Sequence, residues 1–187
     1  MDNRKNRDPE RISRENTALV VIDVQERLYP HISGNEGMAT EIIRLVKFAD
    51  ILGIPVVHAE QFKLGPTIAP IAAALGDRTP VIKETFGCFG CADFAEQLPA
   101  LRGGTLVLVG IETHVCVLQT SMEALKLGYR VQVAADAAGS RSPYNKEIGL
   151  RRLAAAGVEV TVTESVMFEL MGRSNTDEFR KVLALLK

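Results

Sequence analysis

Asp23, Lys83 and Cys116 are three side chains of this 187-residue chain whose types, taken together, could run acyl-transfer chemistry. A thiol attacks as its anion, a carboxylate can take its proton, and a nearby ammonium favours the charged sulfur. Cys116 lies in GIETHVCVLQTSMEAL, where the pattern predicts the amino end of a helix. Free N–H groups and the helix dipole there add to the pull on a thiolate. In sequence the three stand 60 and 33 positions apart. Each also has an ordinary explanation by itself: cysteine is often a small buried hydrophobe, aspartate caps turns, and a strand-end lysine is a solvated charge. What would unite them is a fold that brings distant strand ends to one rim.

The elements point to such a fold. Short apolar, β-branched runs at 18–23, 54–58, 81–83, 105–110, 130–134 and 158–162 read as strands. They are continuous rather than alternating, as strands covered on both faces are. Helical spacing falls between them: 38–52 puts Ile42, Leu45, Val46 and Ala49 on one face, and further helices are expected at about 115–127, 146–156 and 177–186. The phrases LGIPVV, LGYRVQV and AGVEVTV repeat a helix–glycine–strand junction. This alternation predicts an α/β fold: a single doubly wound, Rossmann-like, six-stranded parallel sheet with helices on both faces. Ligands of such sheets bind beyond the carboxyl ends of the strands, near the topological switch point. Asp23, Lys83 and Cys116 all fall just there.

Composition bounds the rest. A 20.4 kDa chain with 47% hydrophobic and 24% charged residues suits one domain, here 17–187, preceded by a charged tail, 1–16, frayed or docked on the surface. Twenty-two basic against 23 acidic residues leave a net charge of −1, without the basic footprint of a nucleic-acid binder. No run is long and apolar enough to span a bilayer. Three cysteines and no signal-peptide pattern predict a reducing, cytoplasmic setting with free thiols. No phosphate-cradling glycine motif and no G-x-S-x-G elbow occurs. Cys88-Phe89-Gly90-Cys91 matches C-x-x-C, which leaves a thiol-redox reading open beside a packing role.

The segments LVVIDVQ, VIKETFGCF and VLVGIETHVCVLQTSMEALKLGYRVQVAADAAGSRS resemble the isochorismatase-like cysteine hydrolases, a family that includes nicotinamidases and N-carbamoylsarcosine amidases. VVHAEQFKLGPT and ESVMFELMG resemble its unassigned isochorismatase-domain-containing branch. The resemblance spans about 17–171 and implies an Asp–Lys–Cys triad on Asp23, Lys83 and Cys116. It further implies a cis peptide at Ile111–Glu112 that aims the amides of Glu112 and Cys116 into an oxyanion hole. Leu28, Tyr29, Gln61, Phe62, Phe86 and His114 are the candidate lining of a small-molecule pocket.

Metal-dependent nicotinamidases carry an Asp-x-His and a further histidine after the second strand. Here the stretch reads His58-Ala59-Glu60-Gln61-Phe62, short of the three ligands a catalytic zinc needs, so neither metal nor cofactor is expected. His58 is read as a strand-end histidine bonded to backbone. Glu112, beside the oxyanion hole, would repel a developing anion or bind a cationic substrate group. The expected activity is hydrolysis of a small amide-like C–N bond through a thioester on Cys116. Alternatives are a binding protein without turnover, a vinyl-ether hydrolase and a thiol oxidoreductase. Family resemblance also implies a homo-oligomer, dimer or tetramer, for which the apolar stretch 179–186 offers surface unless it is core.

Overall fold

A computed structural model describes residues 11–98, 101 and 104–186. Six parallel strands form one sheet: β1 (Thr17–Ile22), β2 (Val56–Gln61), β3 (Val81–Lys83), β4 (Thr105–Ile111), β5 (Arg130–Gly139) and β6 (Glu159–Thr161), in the order β3-β2-β1-β4-β5-β6. The order reverses between β1 and β4, which makes their carboxyl ends the switch point. This is the α/β, doubly wound sheet expected. Successive residues of the central strands serve opposite cores. Leu19, Val21, Val107 and Val109 face one, while Ala18, Val20, Leu106 and Leu108 face the other. Burial on both sides is why these strands read as unbroken apolar runs.

The first core is covered by α1 (Asn35–Leu52), α2 (Ala69–Leu75), α6 (Thr163–Met171) and α7 (Asp177–Leu183); the second by α3 (Ala92–Gln97), α4 (Leu118–Lys126) and α5 (Pro143–Ala155). In α1 the expected face is buried, with Ile42, Leu45, Val46 and Ala49 no more than 2% exposed. The sequence reading missed α2 and α6. α2 is a short Ala- and Pro-containing segment without a local cap. The cap of α6 is tertiary: Asp136, on β5, accepts the Thr163 N–H at 2.9 Å and its hydroxyl at 3.0 Å. Ser142 and Pro143 start α5 earlier than expected, the serine oxygen accepting the Asn145 N–H.

Residues 1–10 of the charged tail lie outside the described residues. From residue 11 the tail is docked: Ile12 is buried in the first core, its N–H donates to Glu169, and Arg14 forms a two-bond pair with Glu178. Of the apolar stretch 179–186, Val182 is fully buried in this chain's own first core and Phe179, Leu185 and Leu186 pack partly buried against that core, while Leu183 is 37% exposed. Among the described residues, no helix is long and apolar enough to cross a membrane.

Candidate active site

Strand register sets the site. Ile22, the last residue of β1, lies level with Ala59 on β2 and Gly110 on β4, and Gln61 lies level with Lys83. Asp23 then leaves the strand direction with φ +54°, a left-handed backbone that aspartate tolerates better than most residues, while its N–H still donates to Ala59 O at 2.9 Å. Gly110 is what lets β4 come this close. A Cβ there would overlap the Ile22 carbonyl oxygen, and its φ of +113° is one that side chains disfavour.

The register brings Asp23 and Lys83 together. Lys83 Nζ donates to Asp23 Oδ2 at 2.7 Å, with both side chains at most 1% exposed. It also donates to Gln61 Oε1 at 2.7 Å and approaches the carbonyls of Phe86 and Thr85 at 3.2 and 3.3 Å. Burial raises the Asp23 carboxyl above its ordinary range, against the opposing pull of Lys83. The other carboxylate oxygen, Oδ1, is buried and makes no hydrogen bond of normal geometry within the protein. The Lys83 loop is tied down from α4: Thr120 Oγ1 accepts the Cys88 N–H at 3.0 Å and Glu123 accepts that of Phe89 at 3.1 Å. Gly87 leaves the room in which the Glu123 carboxylate sits.

Cys116 stands in a wide turn, Thr113–Val117, that feeds α4. There Val117 N–H reaches back five residues to Glu112 O, a π-type turn of the kind that recurs at functional sites. Cys116 is 6% exposed, and its thiol interacts with the Asp23 carboxylate. A depressed thiol was expected here, and the structure reverses that. Burial first, and the Asp23 charge second, push the Cys116 thiol up, and Lys83 only partly offsets them. The resting sulfur is therefore protonated beside a carboxylate able to receive its proton. The ammonium's own hydrogen bonds run to Asp23, Gln61 and loop carbonyls.

Glu112 is cis to Ile111. Its carboxylate does not stand free before the site, as the sequence reading assumed. Arg141 N–H and Nε each donate to it at 3.0 Å, which compensates the charge. His114 engages both ring nitrogens inside the protein, with Ser140 Oγ at 3.0 Å and Asn145 Nδ2 at 3.4 Å, and packs on Gly149. Phe86 contributes its carbonyl to Lys83, and its ring is 55% exposed. Gln61 and Phe62 line an open cleft of about 390 Å³ with Arg27 and Lys63. Leu28 and Tyr29 are half-buried against the α1 core.

His58 corrects its expectation. It lies within β2 on the α2 side, 5% exposed, and its Nδ1 is unpartnered rather than bonded to backbone. Burial lowers its pKa. The C-x-x-C pair also differs from a redox dithiol. Cys88, its first cysteine, is fully buried with its thiol pushed up to about 12, whereas such motifs depress that group. The sequence reading passed over Gln25, Arg141 and the Thr120–Glu123 clamp, and gave Gln61 only a lining role. Asp23-Val24-Gln25 was a signal for the first, since a carboxamide two residues past a strand-end acid can reach the neighbouring strand.

The isochorismatase domain family matches residues 17–165 of the chain. Isochorismatase domain-containing protein 1 of Salmo salar is 35% identical over 176 residues, covering 91% of this chain and 61% of its own length. The Danio rerio protein of the same name is 33% identical, covering 88% of this chain and 59% of its own, so the chain spans about three fifths of these two relatives. Isochorismatase domain-containing protein 2 of Rattus norvegicus is 32% identical over 95% of this chain and 84% of its own. Among solved structures, the MAR1 ribonuclease of Caenorhabditis elegans superposes with a TM-score of 0.85 at 33% identity, over 95% of this chain and 92% of that one. YcaC of Escherichia coli, an octameric hydrolase of unknown specificity, superposes with a TM-score of 0.88 at 18% identity, over 96% and 92%.

Proposed function

The chain belongs to the isochorismatase family, and on that premise we propose that it is a metal-independent cysteine hydrolase of a small amide-like C–N bond, with Asp23, Lys83 and Cys116 as its reacting group. The observation that carries this reading is the asymmetry of Asp23. Lys83 holds Oδ2 at 2.7 Å, and Oδ1 is left buried and unpaired while the carboxylate faces a protonated thiol.

Asp23 Oδ1 takes the Cys116 proton as the sulfur adds to the substrate carbonyl carbon. The carbonyl π electrons move to oxygen, where the backbone N–H groups of Glu112 and Cys116 are the assigned donors. Loss of one such donor costs about 3–4 kcal/mol of transition-state stabilisation. On collapse the C–N bond breaks, Asp23 hands its proton to the leaving nitrogen, and the acyl group remains on sulfur. Water, deprotonated by the same carboxylate, adds to the thioester; the C–S bond breaks and the proton returns to sulfur. Lys83 holds the carboxylate in line throughout. A vinyl ether offers no such carbonyl, so a sulfur nucleophile favours amide chemistry.

The nematode protein is named a ribonuclease. A net charge of −1 does not favour polyanion binding in this chain.

Turnover of amides, ureas and carbamoyl compounds by the purified chain tests the proposal. Product release that disappears in Cys116→Ala, together with an acyl adduct on the Cys116 peptide in quenched samples, is the expected result. Ligand binding with neither product nor adduct would make the chain a binding protein on this fold.

A further inference from the structure

Two carboxamides beside the site have no part in the chemistry above. Gln25, two residues past Asp23, is 1% exposed. Its side chain pairs with the main chain of Gln61: Gln61 N–H donates to Oε1 at 2.8 Å, and Nε2 donates to Gln61 O at 3.0 Å and to Gly65 O at 2.5 Å. This is the pairing a neighbouring strand would supply. The β1–β2 ladder ends at Ile22 and Ala59, where the chain turns away at Asp23. The carboxamide continues that ladder after the backbone has left it.

Held in this way, Gln61 turns its own side chain onto Lys83. Nε2 donates to Glu84 O at 2.9 Å, which fixes the amide so that Oε1 accepts from the ammonium at 2.7 Å. An ammonium has three protons. One goes to Asp23 Oδ2, one to Gln61, and one lies between the Thr85 and Phe86 carbonyls. None remains for Asp23 Oδ1.

We propose that Gln61, clamped by Gln25, is a positioning residue that confines Lys83 to one oxygen of Asp23 and so keeps the other open to the Cys116 proton. This rests on the reading of Asp23 as the base. The ionisable groups facing Asp23 are Lys83 from β3, Glu60 from β2, Cys116 from the turn before α4, and Cys88 from the loop after β3.

The test follows alkylation of Cys116 by iodoacetamide against pH in the whole chain, read by peptide mass spectrometry with Cys91 as internal reference. It needs no substrate. Gln61→Met lets the ammonium grip both carboxylate oxygens. Cys116 alkylation then slows about tenfold and its pH midpoint moves down. Gln61→Glu draws Lys83 away from Asp23 and adds a charge, so the midpoint moves up by about one unit. Gln61 is half-exposed, and melting curves confirm that the variants are folded. Opposite midpoint shifts with unchanged Cys91 support the proposal. Coincident midpoints in wild type and both variants overturn it, even if rates fall, because that is what a merely structural glutamine gives. Asp23→Asn separates the two layers. If it changes Cys116 alkylation while the Gln61 variants shift nothing, the positioning role fails alone. If it changes nothing, the base assignment and this proposal fail together.

Discussion

Asp23 carries the residue-scale argument because Lys83 holds one of its oxygens while the other has no hydrogen bond of normal geometry. Burial raises its carboxyl, so protonation competes with catalysis higher on the pH scale than usual. Asp23 accepts a proton only when ionised, above its own pKa. Activity should therefore appear as pH rises, on an acid limb lying above the ordinary carboxylate value of about 4. Initial rates of whichever amide turns over, measured from pH 4 to 8, check this. A limb at or below about 4 would mean that another group titrates. Lys83→Met should leave the Asp23 charge buried without its partner and cost about 3–5 kcal/mol by denaturant unfolding. The placement of Asp23, Lys83 and Cys116 near strand ends was legible in residue types and element pattern. The raised thiol was not, since it depends first on how completely the fold buries Cys116 and second on the Asp23 charge brought beside it from a distant segment.

Among the elements, β4 and β2 decide whether those residues meet. Gly110 packs directly on the Ile22 backbone, one residue from Asp23. Gly110→Ala should push the two strand ends apart, costing at least about 2 kcal/mol and lowering turnover together with stability. A variant as stable and active as wild type would show that the contact relaxes freely. On β2, His58 is buried with a lowered pKa, so the folded state binds its proton less readily than the unfolded chain does. Stability should therefore fall as pH drops through the unfolded value of about 6.5. Melting temperatures between pH 7 and 5 should show this decline, with a smaller slope in His58→Gln. The strands themselves could be read from their apolar runs. The wide turn before α4 and the tertiary cap of α6 could not, because the Asp136 carboxylate that caps Thr163 lies 27 residues away.

Among the described residues, two cores clasp one sheet, and Ile12 and Val182 help close the first. Ile12 is 4% exposed there. Ile12→Ala should cost about 2–4 kcal/mol in chemical denaturation, and an unchanged midpoint would mean that the segment is not docked in solution. Periodicity, glycine junctions and unbroken apolar strands determined by themselves that this chain makes a doubly wound sheet, because each is a local signature of burial on one face or two. They also placed Asp23, Lys83 and Cys116 at strand ends. Tertiary structure decided which proton partners those residues have, that Arg141 compensates Glu112, and that Val182 of the 179–186 stretch is core. Those outcomes turn on hydrogen-bond geometry and solvent exclusion between segments dozens of residues apart, which no local pattern encodes.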